Sequence, residues 1–289
     1  MAKLALYRAF RTFDTIPPVM SMEPAMKPRR AILLLAAFAL ASLPLAGPGR
    51  AEETPNIAAA ATLQFALTDV ATAFTGKTGK EVKLAFGSSG NFFRQIQQGA
   101  PFQMFLSADE GFVMGLTEKG LTANGEGDIY AVGRLVIMAG EGSPLLADGT
   151  LADLGAALED GRLKKFAIAN PEHAPYGRAA KEALDKAGLW DAIEDKLVIG
   201  ENISQAAQFA TSGNAQGGLI AYSLALAPEV GTRGTYALVP EDRHRPLRQR
   251  MALLKGAGET AHAFYGFMQG EEARAIMRRY GYVLPGEAM

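Results

Sequence analysis

From Asn56 onward, short apolar runs alternate with helix-period segments, and this alternation restricts the fold more than any other feature of the sequence. "NIAAAA" (56–61), "EVKLAF" (81–86) and "FQMFLSAD" (102–109) read as strands. Between and after them lie helical patterns: Leu63, Leu67, Val70, Ala71 and Phe74 share one face, "NFFRQIQQG" closes on Gly99, and Glu110–Lys119 stops at Gly120. "DIYAVGRLVIMAG" (128–140) is extended, and a helix near 151–161 leads to the strand "KKFAIAN" (164–170). The same grammar continues through a helix at 177–187, "DKLVIG", "ISQAAQFATSG", "GGLIAY", "TYALVP" and "QRMALLKG", then helices at 258–269 and 271–280. Repeated strand–helix units imply an α/β fold with mostly parallel sheets.

Such sheets bind ligands beyond the carboxyl ends of their strands, where the next helix begins. Four strand-to-helix turns therefore carry the functional expectation: Ala61-Thr62, Gly87-Ser88-Ser89-Gly90, Ala174-Pro175-Tyr176-Gly177 and Asn202-Ile203-Ser204. A helix start presents unpaired N–H groups and about half a unit of positive charge, and glycines and hydroxyls add close approach and extra donors. Each turn also has a plainer reading. Ser88, Ser89 or Thr62 can serve only as an N-cap, Tyr176 can simply pack, and Tyr222, ending "GGLIAY", reads equally as a core aromatic. Arg94 sits a full turn inside its helix and is not assigned to a ligand.

Enzymatic patterns are missing from the sequence. His173, His244 and His262 have no metal-binding spacing, no G-x-S-x-G elbow or phosphate-loop motif occurs, and with no cysteine there is no thiol chemistry. Near the start, Lys27-Pro28-Arg29-Arg30 precedes the apolar run 31–47, and small residues lead to Ala51. That pattern is a secretory signal peptide, about 27–51, with residues 1–26 an upstream extension. A membrane anchor is the alternative, although the unbroken apolar part, residues 31–43, falls short of the roughly 20 residues a span needs. Removing residues 1–51 leaves 22 basic and 28 acidic side chains, a net charge of −6, which argues against nucleic acid as a partner.

Taken in order, "AAATLQFALTDVATAF", "FGSSGNFFRQIQQGAPFQMFLSADE", "ANPEHAPYGRAAKEAL", "GENISQA" and "RYGYVLP" resemble the periplasmic molybdate-binding proteins that feed ABC transporters. The resemblance covers about residues 56–285. It implies a type II periplasmic-binding-protein fold of two α/β lobes: residues 52–132 plus 248–289, and residues 133–247. The chain would cross between lobes near Tyr130–Arg134 and return near Arg245–Met251. It also implies an oxyanion held in the cleft by hydrogen bonds, with no cationic side chain, no cofactor, no catalytic residue and no protein ligand to the metal itself. Carried over, the ligand contacts fall on Thr62, Ser89, the Tyr176 amide, the Ile203 amide and Tyr222, with Leu63, Ser88 and Gly90 as supporting amides. Thr62 replaces the commoner serine, and the "AYSLA" around Tyr222 departs from the members that use a tyrosine there. The expected function is extracytoplasmic capture of molybdate or tungstate by a periplasmic monomer that delivers it to a membrane permease. A binder of sulfate or another tetrahedral oxyanion is the neighbouring reading, and a secreted hydrolase a remote one.

Overall fold

The strand Asn56–Ala60 (β1) is built of small residues because both its faces are covered, and from Ile57 onward it is fully buried. In the computed structural model, which describes residues 54–287, β1 is flanked in parallel by Lys83–Gly87 (β2) and Met104–Ser107 (β3). Asp128–Gly133 (β4) and Leu247–Leu253 (β10) complete a five-stranded sheet of order β2-β1-β3-β10-β4, with β10 antiparallel to both its neighbours. A second sheet repeats the plan. Leu135–Gly140 (β5), Phe166–Ala169 (β6), Leu197–Gly200 (β7), Gly217–Ala221 (β8) and Gly234–Leu238 (β9) lie in the order β7-β6-β8-β5-β9. Here β6 runs parallel to β7 and β8, whereas β5 is antiparallel to β8 and β9.

The first sheet thus takes strands from both ends of the described chain, and the second sheet takes the middle. The run 128–140, which reads as one extended segment in the sequence, is two strands in different sheets, separated by Arg134 alone. The return connection lies between Leu238 and Leu247. This is the two-lobed arrangement expected. The signal peptide and the leader before it lie outside the described residues.

Helices cover both sheets. Gln64–Thr78 (α1) ends at Gly79, whose φ of 70° lets its N–H reach the Thr75 carbonyl. It packs Leu67, Val70 and Phe74 into the core of the first lobe, where Phe74 meets Phe264 edge to face. Ser89–Gln97 (α2) and Glu110–Glu118 (α3) cover the other face. In the second lobe Ala152–Glu159 (α4), Pro175–Lys186 (α5) and Ile203–Thr211 (α6) surround the sheet. Glu259–Gln269 (α7) and Glu271–Arg279 (α8) return to the first lobe, where Ala261, Phe264 and Met277 join its core. Ala60, Ala61 and Ala108 of the first lobe join the apolar cluster of the second, so the two lobes meet.

Candidate functional site

Three helices begin where the lobes meet, and the sequence explains each start. Ser88 caps α2 by accepting the Asn91 amide. Asn202 caps α6 by accepting the amides of Ser204 and Gln205. Pro175 opens α5, two residues earlier than the sequence pattern suggests, because proline's fixed φ suits the first helical position and its missing N–H costs nothing there. A small cavity lies between these ends, lined by residues that include Thr62, Ser88, Ser89, Tyr176 and Ile203. No charged side chain lines it.

The donors follow from hydrogen-bond accounting. The amides of Ser89, Tyr176 and Ile203 lie in the first turns of their helices, where intrahelical acceptors do not exist. None of the three has a partner among the described residues. The Ser89 hydroxyl accepts the Ala108 amide at 3.0 Å, so its proton remains free. Thr62 stands in a short 3-10 turn after β1. Its Oγ1 lies 2.9 Å from Ser223 Oγ and 3.1 Å from the Tyr282 hydroxyl, and both of those groups also donate to the Thr62 carbonyl. Thr62, Ser89, Tyr176 and Ile203 are all buried.

The Tyr176 hydroxyl accepts from Gln249 Nε2 at 3.1 Å, and Gln249 Oε1 in turn accepts from the Tyr130 hydroxyl at 2.8 Å. Burial pushes the Tyr176 phenol up to about 12, partly offset by the Thr62 hydroxyl and the Gln249 amide. Burial likewise raises Tyr130 and Tyr282. All three therefore stay neutral hydroxyls at physiological pH.

Four of the expected contacts, Thr62, Ser89, Tyr176 and Ile203, come together around one cavity. Tyr222 does not line it, which corrects the expectation. The strand β8 ends at Ala221, Tyr222 opens a short helix, and its ring packs beside Tyr236 and over Gly281. The neighbouring Ser223 turns inward instead, to Thr62. Gly90 is a second correction, because its amide is spent on the His173 carbonyl at 3.0 Å. Leu63 does not line the cavity, and its side chain is buried in the core of the first lobe. Ser88 lines the cavity, but its hydroxyl sits 2.9 Å from His173 Nδ1. Sequence reasoning missed Ser223, Tyr282, Gln249 and the structural role of His173. Of these, Tyr282 lies in the closing "RYGYVLP", His173 in "ANPEHAPYGRAAKEAL" and Ser223 in "AYSLA", whereas Gln249 lies in none of the family motifs.

Charged groups gather next door. Asp109 pairs with Arg178 across the cleft, Glu182 with Arg245, and Glu110 with Arg248 and Arg250. Each cation there is answered by a carboxylate. Among the described residues no cluster of three or more His, Asp or Glu is placed to hold a metal ion.

Residues 55–283 match the family described as bacterial extracellular solute-binding protein. The molybdate-binding protein ModA of Rhodobacter capsulatus is 43% identical over 217 residues, covering 74% of this chain and 82% of that protein. ModA of Escherichia coli is 34% identical over 257 residues, 87% of this chain and 98% of its own length. The solved structure of the Azotobacter vinelandii periplasmic molybdate-binding protein aligns with a TM-score of 0.73 at 31% identity, covering 81% of this chain and all of that one. A sulfate-binding protein of Mycobacterium tuberculosis shares the fold at a TM-score of 0.65 and 16% identity, covering 81% of this chain and 87% of its own.

Proposed function

The chain belongs to the bacterial extracellular solute-binding proteins, among their molybdate-binding members, and from that premise we propose that it captures molybdate or tungstate outside the cytoplasm and hands it to an ABC-transporter permease. One observation carries this reading: three unpartnered helix-start amides and the Ser89 hydroxyl converge on a small cavity, lined also by Thr62, with no charged side chain in its lining. Burying a dianion without compensation is very costly. Each hydrogen bond to a charged group returns about 1.5–3 kcal/mol, and the helix termini add favourable potential. Amides donate and cannot accept, and one lone pair of the Ser89 oxygen already takes the Ala108 amide, so donors outnumber acceptors around the guest. A guest that carries its own proton, such as hydrogenphosphate, leaves that proton short of an acceptor. Molybdate, tungstate and sulfate carry none at neutral pH, so cavity size must separate them.

Contacts from both lobes give the ligand a larger affinity for the closed state than for the open one. The lobes hinge at the two crossings, Arg134 and the connection between Leu238 and Leu247. The protein acts as a periplasmic monomer released from a cleaved signal peptide, with no cofactor, no catalytic step and no nucleic-acid partner.

The hydrolase reading has one observation in its favour, since Ser88, His173 and Glu201 form a hydroxyl–imidazole–carboxylate series. Ser88 is nevertheless the α2 cap, and the imidazole reaches it from the opposite lobe. The deciding experiment is calorimetric titration of the mature chain with molybdate, tungstate, sulfate and phosphate. Tight binding of the first two and weak binding of the others is expected, and equal affinity for sulfate sinks the selectivity claim.

A further inference from the structure

Gly90 is the second residue of α2, and its φ lies outside the left-handed region, so the backbone does not require glycine there. The requirement comes from across the cleft. A Cβ at position 90 would lie 2.6 Å from the His173 carbonyl oxygen and about 3 Å from its Cα and Cβ. The same carbonyl accepts the Gly90 amide at 3.0 Å. His173 Nδ1 meets the Ser88 hydroxyl at 2.9 Å, and its Nε2 faces Glu201 Oε2 at 3.6 Å. Glu201 also takes the Asn91 side-chain amide. The carboxylate favours the proton on Nε2, which leaves Nδ1 to accept from Ser88. Ser88 therefore spends its proton on the latch rather than on a guest. Both His173 and Ser88 are buried.

These contacts are rigid, backbone to backbone in the case of Gly90, and they join two helix starts that both face the cavity. Ser89 precedes Gly90 on α2, and Tyr176 follows His173 by three residues at the head of α5. We propose that the Gly90–His173 contact is the gauge that sets how far the lobes close, and hence the width of the anion cavity, without touching the anion itself. His173 is then a positioning residue. Closely packed backbone does not yield by an ångström at low cost, so a single methyl at position 90 wedges the lobes apart.

The inference rests on the binding reading above, and its test separates the two. Gly90→Ala should leave the melting temperature of the ligand-free protein little changed, because with the lobes apart the new methyl no longer meets His173 and alanine is the better helix former. Its molybdate affinity should fall at least about tenfold, carried by faster release with little change in association rate. His173→Ala keeps the carbonyl and loses the ring, and should speed release less than Gly90→Ala does. The wild-type titration judges the binding reading, and the variant-to-wild-type ratio judges the gauge, measured with whichever oxyanion the wild type binds. Wild-type affinity and release rate in Gly90→Ala would overturn the proposal. So would a loss of ligand-free stability large enough to account for the weakened binding.

Discussion

The Ser89 hydroxyl oxygen accepts the Ala108 amide, which leaves its single proton free for another acceptor and ties the first residue of α2 to the residue after β3. Ser89→Ala removes a donor and orphans a buried N–H in one step. Affinity for molybdate should fall by about 1.5–3 kcal/mol, roughly ten- to a hundred-fold, by calorimetry. The ligand-free melting temperature should also drop, since the Ala108 amide loses its acceptor. Unchanged affinity would remove Ser89 from the site.

Thr62 separates hydroxyl chemistry from shape. Its carbonyl keeps the bonds from Ser223 and Tyr282 whatever the side chain, so Thr62→Val should fold with a stability loss of about 1 kcal/mol. The same variant should bind molybdate about tenfold or more weakly, whereas Thr62→Ser, which retains the hydroxyl, should stay within about threefold of wild type. Equal binding by the valine and serine variants would mean that the hydroxyl serves only the Ser223–Tyr282 network.

These positions were legible in the sequence because each has a local signal. Glycine and serine mark the α2 start, proline marks α5, and Asn202 marks α6. What sequence could not deliver depends on partners far away along the chain. Tyr282 is 220 residues from Thr62, His173 is 85 from Ser88, and Gln249 is 73 from Tyr176. No periodicity encodes such pairs. Tyr222 was misplaced because the chain changes from strand to helix at Ala221, and the change of period turns Ser223 inward instead. The run 128–140 reads as one strand although the crossing is expected near Tyr130–Arg134, because two strands one residue apart have the same pattern as one long strand.

Alkaline pH should destabilise the fold through its buried phenols. The sign follows from proton binding. Tyr176 is raised from 10.0 to about 12 in the folded protein, so between those values the native chain holds a proton that the unfolded chain has released. Its contribution is fully present below pH 10 and is lost as pH rises toward about 12. Tyr130 and Tyr282, both raised by burial, add to the same trend. Urea unfolding at pH 9 and pH 11 should show a clear loss of stability at the higher value, smaller in Tyr176→Phe. A loss equal in both proteins would show that Tyr176 does not contribute.

Gly133 offers the sharpest test of the link between hinge and site. It ends β4 immediately before the crossing at Arg134, and a Cβ there would lie 2.0 Å from the Tyr176 hydroxyl and 2.4 Å from Gln249 Nε2. Gly133→Ala should therefore push the phenol off Gln249, costing about 1–3 kcal/mol of stability by overpacking. It should also weaken anion binding, because the displaced ring carries the Tyr176 amide with it. Removing the hydroxyl relieves the closest contact, although the ring carbon Cζ would still be 3.1 Å from the new methyl. Tyr176→Phe should consequently rescue part of the Gly133→Ala defect, giving a coupling of about 0.5–3 kcal/mol in a double-mutant cycle. Strict additivity of the two substitutions, in stability and in affinity, would mean that the hinge glycine and the tyrosine act independently.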